Sequence, residues 1–113
     1  MFDYLIKNGQ LIDGTGSPAR RADVGITDGK IAAIGDLSAA QAGTVIDAAG
    51  KTVTPGFIDI HRHADAAAFR PGFGELELRQ GLTTIVNGNC GLSCAPVGPE
   101  NLPAITSYLE PIC

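Results

Sequence analysis

Two short apolar segments in the second half of the chain are separated by a stretch that is too long for a hairpin. Residues 57–60 and 82–86 both have the nearly continuous apolar character of a buried strand, and about 20 residues lie between them. Within that stretch, acidic and long side chains followed by Gly81 predict a helix over residues 64–80. The order strand, helix, strand requires a parallel crossover. Such a unit opens either a doubly wound sheet or a (β/α)8 barrel.

The first 55 residues have a different character, because they are rich in β-branched residues and in tight-turn pairs. Asn8-Gly9 lies between apolar stretches in residues 3–12, and Asp28-Gly29 does the same in residues 23–34. Both pairs tolerate the positive φ of a type I′ turn, so each predicts a hairpin of short antiparallel strands.

A third strand pair is predicted over residues 44–54, after which the character of the sequence changes at Pro55-Gly56. We therefore predict two parts. Residues 1–55 form a β-rich part, and residues 56–113 contain the first crossover strand, its helix, the second strand and the loop that follows.

Charge and apolar runs exclude several classes of protein. Lys and Arg number 8 against 12 Asp and Glu, the net charge is −4, and the signs are interspersed, so neither nucleic acid nor an anionic membrane is an expected partner. No apolar run approaches the ~18 residues of a spanning helix, and the first ten residues lack a cationic leader, so we expect a cytoplasmic protein. Three cysteines form no spaced framework and suit free thiols or a metal ligand.

The only two histidines of the chain, His61 and His63, follow the first apolar segment. Side chains at i and i+2 of an extended segment point to the same face, so both imidazoles can reach one ion while Arg62 points away. The alternative is a solvated pair, because this spacing also occurs by chance. Asp59 shares the same face and is expected either to orient a ligand or to accept a hydrogen bond from a neighbouring backbone amide.

Cys90 strengthens the metal interpretation. Both strands of a parallel unit run the same way, so the segment after the second strand emerges at the same edge as the histidines. A thiolate and two imidazoles form a reasonable ligand set for zinc. The alternative for Cys90 is a small buried apolar side chain, and packing is also the expectation for Cys94. The sequence gives no role to Cys113.

Two longer segments carry a family resemblance. PGFIDIHRHAD and RQGLTTIVNGNCGLSCAP resemble the metal-dependent amidohydrolase superfamily, and within it the N-acyl-D-amino-acid deacylases, also called D-aminoacylases. Upstream, YLIKNGQLIDGTG, DVGITDGKIAAIGD and VIDAAGKTVTPGFID resemble the amino-terminal β-sandwich of such enzymes. The resemblance covers nearly all of the first 97 residues. It implies a portion of a small β-sandwich followed by the first β/α units of a (β/α)8 TIM barrel, with the barrel incomplete in this chain.

The resemblance also implies a metal site and an activity. His61 and His63 correspond to the ligands of the first barrel strand, and Cys90 takes the place of the family cysteine that binds the tighter zinc, with one or two ions in the site. A carboxylated lysine has that role in many hydantoinases and dihydroorotases, so the cysteine favours the deacylase branch. The implied substrate is a small N-acyl-D-amino acid, hydrolysed by metal-activated hydroxide to a carboxylate and a D-amino acid.

Members of this family contain several hundred residues, and their remaining ligands and catalytic aspartate come from later strands. We therefore expect an amino-terminal fragment without turnover of its own, with no catalytic residue and with the general-base aspartate beyond residue 113. Open strand edges predict self-association or association with the rest of the enzyme. The alternatives are another amidohydrolase, such as a dihydroorotase or hydantoinase, a non-catalytic β-rich interaction module, or a thiol redox protein using Cys90 and Cys94, whose spacing is not C-x-x-C.

Overall fold

The computed structural model describes residues 1–65 and 67–111. The chain divides into two compact units, Met1–Pro55 and Gly56–Cys113. The strands of the first unit are β1 (Phe2–Lys7), β2 (Gln10–Leu11), β3 (Arg20–Arg21), β4 (Asp23–Thr27), β5 (Lys30–Gly35), β6 (Ala42–Asp47) and β7 (Thr52–Val53). The β-rich character predicted for this part is confirmed.

The seven strands of the first unit form two sheets, with the orders β5-β4-β1-β6 and β3-β2-β7. In the first sheet β1 pairs antiparallel with β4 and parallel with β6. In the second sheet β2 pairs antiparallel with β3 and parallel with β7. The buried apolar side chains of this unit are Leu5, Leu11, Val24 and Ala48.

The hairpin predicted at Asp28-Gly29 is confirmed. It joins β4 to β5, with Thr27 paired to Lys30 across the turn. The φ angles of Asp28 and Gly29 are 51° and 70°, which is the left-handed backbone that a type I′ turn requires at both central positions.

The hairpin predicted at Asn8-Gly9 is wrong. Asn8 does adopt a positive φ of 65°, but the chain passes there from the first sheet to the second, so β1 and β2 do not pair with each other. Carboxylates of Asp23 and Asp47 hold this corner: the first accepts the backbone N–H of Asn8 and the second its side-chain amide, both at 2.9 Å. The strand pair predicted over residues 44–54 is wrong for the same reason, since β6 and β7 lie in different sheets.

The second unit contains a parallel strand pair and short helices. Its elements are β8 (Phe57–Asp59), α1 (Glu75–Arg79), β9 (Leu82–Ile85) and α2 (Leu102–Leu109), with 3-10 turns at Ala67–Phe69 and Asn89–Gly91. Strands β8 and β9 run parallel, so the predicted crossover is confirmed. Nowhere in the described residues is a helix long and apolar enough to cross a membrane.

The helix predicted over residues 64–80 is shorter than expected: residue 66 lies outside the described residues, and among the others of this range the α-helix is confined to α1. Pro71 precedes two glycines, Gly72 and Gly74, that have φ angles of 80° and 92°, and a left-handed residue cannot continue an α-helix. At its other end α1 stops as predicted, since Gly81 has a φ of 82°.

Candidate metal centre

Backbone hydrogen bonds continue beyond the ends of β8 and β9 and hold the two following loops side by side. Val86 donates its N–H to the Asp59 carbonyl at 2.8 Å, and its own carbonyl accepts the N–H of Arg62 at 3.1 Å. The Asn87 side-chain oxygen then accepts the backbone N–H of Ala64 at 3.2 Å. The segment that carries both histidines therefore runs directly beside the start of the segment that leads to Cys90.

Left-handed backbone folds the second loop around Cys90. Gly88 and Gly91 have φ angles of 79° and 73°, and Cys90 itself has φ 57° and ψ 21°. The glycines adopt such angles at little cost, but for a residue with a Cβ they are strained. The Asp65 carboxylate accepts the N–H of Gly88 at 3.4 Å, and the Asn89 amide donates to the Val86 carbonyl at 2.7 Å. The loop is therefore tied both to itself and to the segment after β8.

The structure brings His61, His63 and Cys90 together. One ligand atom from each residue lies within 4.8 Å of the other two. His61 Nε2 and Cys90 Sγ lie 3.2 Å apart, and the two imidazole centroids are 5.3 Å apart with an interplanar angle of 79°. Ligands of one tetrahedral zinc ion lie about 3.5 Å apart for bond lengths of about 2.0–2.3 Å, so a small closing movement would let one ion contact all three.

The donor set and its surroundings fit a metal ion. His63 Nδ1 is buried and has no hydrogen-bond partner among the described residues, and an unpaired buried nitrogen is costly unless something binds it. His61 and Cys90 are exposed, which leaves one side of the cluster open to solvent.

Asp59 and Arg62 have contacts that the sequence did not resolve. Asp59 Oδ1 accepts the backbone N–H of His61 at 3.0 Å, so of the two expected roles the structure shows the backbone one. Arg62 extends to helix α1, where its Nη2 lies 2.5 Å from Glu77 Oε1. Sequence reasoning missed Glu77, because nothing in the sequence distinguishes it from Glu75, which pairs with Arg79 on the same helix.

Cys94 does not belong to this cluster. Cys94 is half-buried with a free thiol, and Cys90 is also free. Cys113 lies outside the described residues.

With this geometry in place, comparison with known proteins identifies the family. Residues 44–103, more than half of the chain, match the family model described as the Amidohydrolase family. The chain therefore belongs to the amidohydrolase family, as the sequence resemblance predicted.

Comparison with individual relatives narrows the similarity to one group of enzymes within this family. The chain is 49% identical over 109 residues to a D-aminoacylase of Alcaligenes xylosoxydans xylosoxydans, an alignment that covers 96% of this chain and 22% of the relative. It thus spans about a fifth of the length of that curated relative.

Solved structures of N-acyl-D-amino-acid deacylases are also similar to this chain. An N-acyl-D-glutamate deacylase from Bordetella bronchiseptica, complexed with zinc and a phosphonate mimic of the tetrahedral intermediate, matches with a TM-score of 0.81 and 43% identity, over 97% of this chain and 27% of that one. A D-aminoacylase described as having a binuclear metal centre also matches with a TM-score of 0.81 and 43% identity, over 97% and 26% of the two chains. These relatives are hydrolases that act on carbon–nitrogen bonds.

Proposed function

We propose that this chain is the amino-terminal part of a zinc-dependent amidohydrolase that hydrolyses N-acyl-D-amino acids to a carboxylate and a D-amino acid. The observation that carries the proposal is the convergence of two imidazoles and a thiol at the ends of parallel strands β8 and β9. The similarity to D-aminoacylases supports the substrate class. In this proposal residues 1–55 are a portion of a β-sandwich, and residues 56–113 contain the first β/α units of a (β/α)8 barrel.

Each residue of the cluster has a proposed role. His61, His63 and Cys90 would hold the metal, and the buried Nδ1 of His63 is a nitrogen in need of a partner. When bound, zinc would supply Lewis-acid polarisation of the amide carbonyl and a nucleophile at neutral pH. The contribution of this chain is to fix the ligands, through the hydrogen bond that the Asp59 carboxylate accepts from the His61 N–H and the hydrogen bonds between the two loops.

We assign no catalytic residue to this chain. The general-base aspartate and the remaining ligands are proposed to come from later strands of the complete enzyme. Exposed apolar side chains on the second unit support a covering partner, because Ile58, Ile60 and Leu76 are 61%, 74% and 70% exposed. We propose that the rest of the barrel, or a second copy of the chain, covers them.

Zinc titration of the chain and of two matched cysteine variants tests the metal site. Cys90→Ala should weaken zinc binding at least about tenfold, and Cys94→Ala should leave it unchanged. With cobalt in place of zinc, the wild-type chain and the Cys94→Ala variant should show a thiolate-to-metal charge-transfer band that Cys90→Ala lacks. Equal affinities of wild type and Cys90→Ala would remove Cys90 from the ligand set.

The substrate class is tested separately, in the complete enzyme. N-acetylated D-amino acids should be hydrolysed and their L-enantiomers should not. Hydrolysis of a cyclic amide such as a hydantoin in preference to both would contradict the assignment.

A further inference from the structure

Arg62, the residue between the two histidines, connects the candidate metal centre to helix α1. Its Nη2 pairs with Glu77 Oε1, and its Nη1 lies 3.8 Å from Asp59 Oδ2. The Arg62 side chain is 39% exposed and that of Glu77 is only 13% exposed. A carboxylate so shielded from water requires a partner, so this ion pair differs from the freely solvated pairs that contribute little.

The ion pair restricts the backbone on which the two histidines lie. The N–H of Arg62 donates to the Val86 carbonyl at 3.1 Å, so the main chain is held from the side of β9 while the side chain is held by α1. The chain bends at Ile60 and His61, so the histidines do not lie on a regular strand and their directions depend on how the backbone around Arg62 is held. With the Arg62 side chain held at Glu77 and its N–H held at Val86, the backbone between His61 and His63 has little freedom to turn either imidazole away from Cys90. Asp59 adds to this arrangement because its two oxygens face the His61 amide and the Arg62 guanidinium.

We propose that Arg62 is a positioning residue of the metal centre, and that its ion pair with Glu77 preorganises the two histidine ligands. This inference rests on the proposed function, since it concerns the ligands of that site. Whether removal of Arg62 weakens or strengthens zinc binding distinguishes a positioning role from a purely electrostatic one. A guanidinium near a metal cation repels it, so charge alone predicts tighter zinc binding when Arg62 is removed. Positioning predicts weaker binding.

The experiment measures zinc affinity, by competition with a chromophoric chelator, for the full chain and four variants. Arg62→Met and Glu77→Gln should each weaken zinc binding about tenfold, the low end of the range for groups that orient metal ligands. Arg62→Lys keeps a cation within reach of Glu77 and should restore part of the affinity. Glu75→Gln is the matched control, because it breaks an ion pair of 2.7 Å on the same helix that is far more exposed, and it should change nothing.

Cobalt spectra provide the second readout. Arg62→Met and Glu77→Gln should shift the ligand-field bands of the cobalt-loaded chain, whereas Glu75→Gln should reproduce the wild-type spectrum. The proposal is overturned if the Arg62→Met variant binds zinc as tightly as wild type or more tightly. If Arg62→Met does not fold, as judged by circular dichroism without metal, Arg62→Lys decides instead, because it keeps the positive charge and changes only the geometry: zinc binding weaker than wild type supports positioning, and binding equal to wild type overturns it. Absence of zinc binding by the wild-type chain would instead refute the proposed function.

Discussion

Cys90 should lower the stability of the fold through its backbone conformation, although its thiol is needed for metal binding. Its φ of 57° and ψ of 21° lie in the left-handed region, which costs a residue with a Cβ about 1–2 kcal/mol. Glycine does not have this cost, but it increases the entropy of the unfolded chain by the equivalent of about 0.4–1 kcal/mol. Replacing Cys90 with glycine should therefore raise the free energy of unfolding, relative to replacement with alanine, by about 0.8 kcal/mol.

Urea unfolding in the presence of a chelator measures this difference between the Cys90→Gly and Cys90→Ala variants. Both variants lack the thiol, so both should lose zinc affinity to the same extent, and only their stabilities should differ. Gly91→Ala in the same turn is the control, because it replaces glycine with alanine rather than the reverse. Gly91 has a φ of 73° and open space where a Cβ would lie, so no steric clash adds to the strain, and alanine should lower the free energy of unfolding by the same ~0.8 kcal/mol. If Cys90→Gly is no more stable than Cys90→Ala, the strain argument is refuted.

Two further predictions concern strand packing and acid stability. A Cβ on Gly56 would lie 2.7 Å from the Cβ of Thr83, which no side-chain rotation can relieve, so Gly56→Ala should lower the free energy of unfolding by about 2 kcal/mol in urea denaturation. Hydrogen bonds from Thr15 and then Arg20 hold the pKa of Asp13 well below its usual value of 3.8. A lowered carboxyl pKa stabilises the fold above the usual pKa and loses this effect as the pH falls below it, so wild type should exceed Asp13→Asn in stability at pH 6 by more than at pH 2.

The two turn pairs of the first unit show what local sequence can predict. Asn8 and Asp28 both adopt positive φ, as their neighbouring glycines suggested, yet only Asp28-Gly29 closes a hairpin. Turn chemistry sets the backbone angles of two residues. Whether the flanking strands then pair is decided by contacts distant in sequence, here the bonds from Asn8 to the carboxylates of Asp23 and Asp47. Those contacts have no local signal.

The candidate site was more predictable, because its geometry follows from strand direction. Parallel strands bring their carboxyl ends to one edge, so the proximity of Cys90 to His61 and His63 could be inferred from the order of strand, helix and strand. The pairing of Arg62 with Glu77 could not be predicted from the sequence. It depends on which face of α1 turns toward β8, and this helix is only five residues long where a much longer one was expected.

Strand register and ligand geometry are coupled in this chain. Asp59 pairs with Ile85, and the next bonds join Val86 to Asp59 and Arg62, so the position of Cys90 relative to the histidines is set by the same ladder that pairs β8 with β9. A slip of two residues would move one strand by about 6.6 Å along the other, farther than a single ion can bridge. An ion held by ligands from both loops therefore binds only the native register, and by linkage it stabilises that register over any other. A site built on two neighbouring strands thus contributes to the specificity of their pairing.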